Sequence, residues 1–505
     1  MATILTDETE LHRFVASLAE NRIRGLRVNT TKATEDEVLN LMGISADPIP
    51  WASAAHVVPA SRLDLGRHPA HKAGLYYLQE PSAMAPVTAL ASQAGDVVAD
   101  LTAAPGGKTT QLVDAVGPTG IVVANEINHT RRRALEANLD RWGAQNVLVT
   151  SQGVDVFAAR FAQCFDGVLL DAPCSGEALF RRDNTARQQW SMRLVERSAR
   201  LQGDLLQPAV EMMADATALV YSTCAFGISE NEQQVDRLLR QYPHLHLNDL
   251  STLAASWPGQ GTDRVPAGST ARFWPHHHRA EGQFVARLSV PHRSDRLARS
   301  QDGGINAGQE VVDVRPWTPA PPPTKRKNSP RREHRTRGRK PQWAPTADQV
   351  IEQWLSFATQ YVAAQPTQLY VRPESLVVRG DNIWMRPASW IDRMIPRAPD
   401  LAVIERTLSR PGLPLGRAKP GRFEPHHALA ATLTAETAAQ SLVLRDGDPN
   451  LTAYLEGLEI ESAGPNGWVL VCYHRWGLGW GRRTNGRLKN FLPRHLREAP
   501  RKNNT

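Results

Sequence analysis

The middle of this 505-residue chain is predicted to fold as an open α/β domain around a mostly parallel sheet, on three observations. Between about residues 94 and 290, short apolar, β-branched runs alternate with helical stretches, which implies right-handed crossovers between parallel strands. A glycine-rich turn follows the first of those strands. Two cysteines, Cys174 and Cys224, each fall at the carboxyl end of a strand, where open α/β sheets bind their ligands.

The elements read in order. Asp96–Asp100 is the first strand, followed by the turn Asp100-Leu-Thr-Ala-Ala-Pro-Gly-Gly-Lys108 and a helix from about Thr109. Gly120–Asn125 is the next strand, and Thr130–Trp142 reads as a helix. Asn146–Thr150, Gly167–Asp171 and Ala218–Tyr221 continue the series of strands, and Gly282–Leu288 closes it, placed at the sheet edge. Residues 1–93 form a separate N-terminal lobe with a helical start and the basic stretch Arg22–Asn29. Residues 291–344 are poor in apolar side chains, with a Pro-rich patch from Pro319 to Pro323, and read as an extended linker. Residues 345–505 form a further globular region rich in Trp and Gly, with short strands near its end.

Composition narrows the function classes. No run approaches the ~18 apolar residues of a membrane span, and Met1–Glu20 lacks a secretory pattern. A cytoplasmic protein with no membrane contact is expected. The four cysteines contain no C-x-x-C pair, so neither a zinc site nor a disulfide framework is indicated. Cys164 and Cys472 are read as buried, inert thiols. The run His276-His-His278 has no neighbouring Cys or spaced acid, so it reads as a loop and no metal is expected. The net charge of +8 is concentrated between residues 324 and 340, where nine basic side chains (Lys325, Arg326, Lys327, Arg331, Arg332, Arg335, Arg337, Arg339, Lys340) face one acid, Glu333. Such a run suits a phosphate-contacting arm, or a solubilising spacer.

The glycine turn lets the backbone approach a ligand, and the helix after it offers free N–H groups. Glu126 ends the next strand, 19 residues after Gly107, placed to accept hydrogen bonds from ribose hydroxyls of a nucleoside-containing cofactor. A phosphate-binding NTPase loop would need a glycine where this chain has Thr102. Asp171-Ala-Pro-Cys174 brings an acid and a thiol onto one loop. A thiolate that adds to C6 of a cytosine makes C5 enamine-like and able to take a methyl group from a sulfonium donor. A carboxyl at ring N3, for which Asp171 is the candidate, favours that addition.

These runs resemble a known family. Thr102-Ala-Ala-Pro-Gly-Gly-Lys108, Asp171-Ala-Pro-Cys-Ser-Gly176 and Ser222-Thr-Cys224 are similar to motifs of the Sun/Fmu family of RNA cytosine-5 methyltransferases, as are Leu26-Arg-Val-Asn-Thr30, Gln79-Glu-Pro-Ser82 and Arg272-Phe-Trp-Pro-His276. The resemblance runs in order from about Arg22 to Leu288. It implies a Rossmann-like methyltransferase domain that binds S-adenosyl-L-methionine through Thr102, Ala103, Ala104, Pro105, Gly106, Gly107, Lys108, Glu126 and Asp171. It implies Cys224 as the nucleophile and Cys174 as the thiol that assists release of the methylated RNA. Swapped roles for the two cysteines are the alternative, as in DNA cytosine methyltransferases. Where the family has an acid against the adenine, this chain has Gly153, with Asp155 two residues later.

The stretch Tyr473–Phe491 interleaves arginines with aromatics. That pattern fits phosphate pairing with base stacking, or a Trp-rich β core with a basic rim. It resembles the PUA-like RNA-binding module that ends the bacterial RsmF branch, and so implies a C-terminal α+β module and a small-subunit ribosomal RNA substrate. The expected protein is a monomer whose partner is RNA. Transfer RNA is the alternative substrate, and a non-catalytic ribosome-assembly factor the alternative of another class.

Overall fold

The computed structural model describes residues 5, 7–253, 262–290, 344–363 and 373–498. The expected basic arm, Lys325 to Lys340, lies outside the described residues.

The N-terminal lobe holds the helix Glu8–Ser17 and a four-stranded antiparallel sheet of β1 (Arg24–Val28), β2 (Asp47–Pro48), β3 (Ala55–Val58) and β4 (Tyr76–Gln79), in the order β2-β3-β1-β4. The methyltransferase-like part follows with β5 (Val97–Asp100), β6 (Ile121–Asn125), β7 (Val147–Thr150), β8 (Gly167–Asp171), β9 (Ala218–Thr223), β10 (His246–Asn248), β11 (Ala271–Phe273) and β12 (Gln283–Ser289). β5 through β9 pair in parallel, in the order β9-β8-β5-β6-β7. Every residue of β5, β6, β7 and β9 is buried, as in a sheet covered on both faces. The expected helix near Thr109 runs Gly107–Val116, and the one near Thr130 runs His129–Trp142, capped by Asn128, whose side chain accepts from Thr130 N and Arg131 N.

One strand sits differently from its expected place. β12 is not at the edge: it pairs antiparallel with β9 on one side, while β10 and β11 share its other side. Three-residue strands such as β10, with His246 and Asn248 polar, carry no alternating pattern that marks them in sequence.

The C-terminal region supplies β13 (Leu376–Arg379), β14 (Asn382–Met385), β15 (Leu408–Arg410), β16 (Leu413–Lys419) and β17 (Arg422–Pro425). Four of these make their own sheet, β13-β14-β16-β17, while β15 joins the large sheet beside β7, antiparallel to it. Trp390, Met394, Ile404 and Leu408 enter the same core as β5 and β8. A last sheet, in the order β18-β20-β21-β22-β19, is built from β18 (Ser441–Leu444), β19 (Ile460–Glu461), β20 (Gly467–Tyr473), β21 (Trp476–Thr484) and β22 (Arg487–Asn490).

Two contacts fix the N-terminal lobe. Arg27, 2% exposed, donates to Asp114 Oδ2 (2.5 Å), Thr110 Oγ1 (2.6 Å) and Gly107 O (3.3 Å), and lies over the Trp142 ring. On the other side, Trp476 Nε1 donates to Lys32 O (3.0 Å), and Tyr473 and Trp476 share a core with Leu26 and Tyr76. The lobe is thereby held between the large sheet and the last one.

Candidate functional site

β5 ends in Asp100, and the chain turns over the carboxyl ends of the neighbouring strands before entering the helix at Gly107. Gly106 has φ 109°, and a Cβ there would lie 3.0 Å from Leu135 Cδ1, so only glycine fits without strain. Thr102 Oγ1 donates to Asp171 O (2.9 Å), and Ala103 N donates to Asn125 O (3.0 Å). The threonine hydroxyl thus ties the turn to the end of β8.

Asp171, the last residue of β8, is the hub. Its Oδ2 accepts from Lys108 Nζ (2.7 Å); its Oδ1 accepts from Ser222 Oγ (2.7 Å) and Gln283 Nε2 (3.0 Å). Burial works against the Lys108 charge, but Asp171, together with Cys224 and Asp100, outweighs it and holds the ammonium above its ordinary range. The carboxylate is therefore fixed in direction by three donors from three segments.

Beyond it the two thiols meet. Cys174 Sγ and Cys224 Sγ are 2.8 Å apart, and Cys224 N donates to Cys174 Sγ (3.3 Å). The Cys224 contact, burial, and the charges at Cys224 and Glu230 push the Cys174 thiol well above the usual range. A cavity of about 340 Å³ is lined by Tyr77, Thr102–Pro105, Gly107, Lys108, Arg131, Asp171, Cys224 and Gln283, among others. Cys224 is on its wall; Cys174 lies behind it.

The loops bearing the cysteines are laced by carboxylates that the sequence reading missed. Glu230, fully buried, accepts from Ser175 N (2.9 Å), Ser175 Oγ (2.5 Å) and Gln202 Nε2 (2.9 Å). Glu177 Oε2 accepts from Phe226 N (2.6 Å) and Gly227 N (3.2 Å), and Ala178 N donates to Cys224 O (2.9 Å). Gln283 was likewise missed. Glu230 and Glu177 stand in local sequence patterns of no special kind, so only tertiary contact distinguishes them. Cys164 and Cys472 are buried in cores, and burial pushes both up to about 12.

The residues expected around a nucleoside cofactor are only partly assembled. Residues Thr102–Pro105, Gly107, Lys108 and Asp171 line the cavity; Gly106 sits behind as the helix cap. Glu126 is 3% exposed and off the wall. Arg131 covers it, donating to Ala104 O (2.7 Å) and pairing with Glu126 Oε2 at 3.4 Å. Glu126 Oε2 is buried and accepts no hydrogen bond, while the Arg131 side chain over it is 52% exposed. An acid with one oxygen held by Asn128 N (2.8 Å) and the other short of a hydrogen bond, beside a turn built for close backbone approach, fits the ribose of S-adenosyl-L-methionine. Neither Gly153 nor Asp155 lines the cavity; Gly153 caps the helix Val154–Arg160, and Asp155 is exposed in its first turn.

In the last sheet, Trp476 and Trp480 are buried, and Arg483 is buried against Ser462 Oγ, Gln440 and Pro465 O. The aromatics of this stretch form core, so they are not platforms for stacking bases. Arg487 and Lys489 remain on the exposed rim.

Comparison with known proteins matches four stretches of the chain. Residues 87–289 match the 16S rRNA methyltransferase RsmB/F family, and residues 1–81 the N-terminal domain of 16S rRNA methyltransferase RsmF. Residues 356–433 match the first C-terminal domain of RsmF rRNA methyltransferase, and residues 441–498 the methyltransferase RsmF PUA domain. The ribosomal RNA small subunit methyltransferase F of Erwinia tasmaniensis is 32% identical over 98% of this chain and 95% of its own. The protein of the same name from a Shewanella species is 30% identical over 96% and 92%. A solved methyltransferase homologue from Pyrococcus horikoshii, 28% identical, covers 55% of this chain and 89% of its own at a TM-score of 0.49.

Proposed function

The chain belongs to the ribosomal RNA small subunit methyltransferase F family, and on that premise we propose that it methylates C5 of cytosine in small-subunit ribosomal RNA through a covalent bond from Cys224. The observation that carries the assignment of roles is the sulfur pair. Cys224 faces the cavity beside Asp171 and Lys108, while Cys174 stands behind it, its sulfur 2.8 Å away.

Cys224 Sγ gives up its proton and adds to ring C6 while N3 takes up a proton, and the N3–H donates to the Asp171 carboxylate, so that C5 becomes nucleophilic. Lys108, Ser222 and Gln283 keep that carboxylate aimed. The Thr102–Lys108 turn and Glu126 would hold S-adenosyl-L-methionine, which when bound would supply the electrophilic methyl group. The proton on C5 then leaves to a base and the C6–S bond breaks by elimination. Cys174 assists that release. The protein works in the cytoplasm as a monomer, consistent with a ribosomal substrate; among the described residues no helix is long and apolar enough to cross a membrane.

A 5-fluorocytosine-containing target blocks elimination and reads the roles directly. With donor supplied, the parent protein and Cys174→Ala should become trapped on the RNA, and Cys224→Ala should not. Trapping of Cys224→Ala alone would transfer the nucleophile to Cys174. Calorimetry showing no affinity for the donor would favour a non-catalytic assembly role.

A further inference from the structure

Outside the catalytic cavity, the helix Glu8–Ser17 crosses the loop after β11. Phe14 packs edge-on against Phe226 (5.1 Å), Trp274 (5.6 Å) and the ring of His276 (5.6 Å). Glu10 lies one turn earlier on the same helical face. Its Oε2 is 2.7 Å from His277 Nε2 and 3.3 Å from His276 Nε2, and Oε1 accepts from the exposed Arg13 (3.0 Å). His278 is engaged otherwise, its Nδ1 accepting from Trp274 N (3.0 Å).

His276 is the anomaly. Its side chain is 2% exposed, yet neither ring nitrogen makes a hydrogen bond. Nδ1 has no polar partner and Nε2 has only the 3.3 Å approach to Glu10 Oε2, and a buried polar atom left without a hydrogen bond costs about 1–3 kcal/mol. A ligand at Nε2 removes part of that cost, and the neighbouring donor atoms define which ligand. One carboxylate oxygen and two imidazole nitrogens lie within 4.8 Å of one another. Bonds of about 2.0–2.1 Å to a tetrahedral metal place donor atoms about 3.3–3.4 Å apart, so the His276–Glu10 separation already fits and the His277–Glu10 contact must open by about half an ångström. Two imidazoles with one carboxylate select a transition metal over magnesium or calcium.

We propose that Glu10, His276 and His277 form a structural site for a divalent transition metal, zinc above all, with water as the fourth ligand, which pins the N-terminal helix to the catalytic domain. None of the three lines the cavity at Cys224, so the site acts on packing rather than on the reaction. The pinned helix covers Phe226, two residues after the nucleophile, and so steadies that loop from outside.

The test uses the full chain, free of any affinity tag, with Cys174→Ser and Cys224→Ser so that the paired thiols cannot compete. Cobalt(II) titration should give the visible absorption of a four-coordinate site without thiolate charge transfer, saturating at one equivalent and displaced by zinc. His276→Ala should abolish it. Glu10→Gln, a mild change on a surface helix, should weaken it by about tenfold or more, the scale that even an outer partner of a metal site commands. His278→Ala should leave it intact. Zinc should also raise the melting temperature of the Cys-to-Ser parent and not that of its Glu10→Gln variant, which reads the site even if His276→Ala misfolds. No saturable binding, or equal binding with and without Glu10 and His276, overturns the proposal.

Discussion

Replacing Glu230 by alanine removes the acceptor that three donors share on the Pro-Cys loop. Ser175 Oγ can rotate toward another partner and Gln202 Nε2 keeps its bond to Pro173 O (3.0 Å), but Ser175 N is left buried and unpaired. An orphaned buried donor costs about 1–3 kcal/mol, less whatever water recovers in the space vacated, so a loss of about 2 kcal/mol is expected. Glutamine behaves differently. Its Oε1 can still accept from Ser175 N and Gln202, and its Nε2 can donate to Ser175 Oγ, which reverses its role. Glu230→Gln should therefore stay within about 1 kcal/mol of the parent. It also removes a charge that raises the Cys174 thiol, so Cys174 should alkylate faster in that variant. Urea unfolding gives the stabilities, and trapping on 5-fluorocytosine RNA reads whether the loop still presents the sulfur pair. The reasoning fails if alanine costs less than about 0.5 kcal/mol, the scatter of an ordinary surface change, or if glutamine is as damaging as alanine.

Burial raises Asp100 to about 6, with Thr109 Oγ1 donating to it as partial relief. Its folded value lies above the unfolded one, so the native state loses stability as pH rises from about 4 to about 6 and is flat above; about two units correspond to roughly 2–3 kcal/mol. Melting temperatures across that range should show a shallower slope for Asp100→Asn, with Asp114, also raised to about 6 by burial, supplying what remains; superimposable profiles would contradict this. Trp476→Ala removes a buried ring and its hydrogen bond to Lys32 O, at about 3–5 kcal/mol. Limited proteolysis should then separate the last sheet from the N-terminal lobe, and an unchanged cleavage pattern would show that the interface is held elsewhere.

The catalytic half of this molecule was legible because chemistry constrains residue type at fixed places along the chain. A sharp turn over a cofactor demands glycine at Gly106, and a thiol–acid pair demands Cys174 and Asp171 on one loop. The parallel strands β5 to β9 announce themselves as uninterrupted apolar runs between turns. What escaped was cooperative. β15 is three residues long and becomes a strand only by pairing with the exposed edge of β7. Arg27, one of a basic stretch in sequence, is no surface charge but a buried lock on Asp114. Between the two readings open for Trp476 and Trp480, base platform or β core, only the packed sheet decides, and it makes them core.

Glu10 and His276 illustrate the limit most sharply. The histidine run was read on its own segment as a loop without a ligand set. The acid comes from a helix 266 residues earlier, delivered by the packing of Phe14 on Trp274 and Phe226. A local pattern can show only groups that one segment brings together. Where two segments each supply part of a polar cluster, the apolar contact that docks them is the signal. Here that contact reads in sequence as nothing more than one phenylalanine on an amphipathic helix. The same logic applies at Asp171, whose three donors come from the glycine turn, β9 and β12. The acid was identifiable from its loop, but its direction, and hence its use against a ring nitrogen, is set by strands that only the folded sheet places side by side.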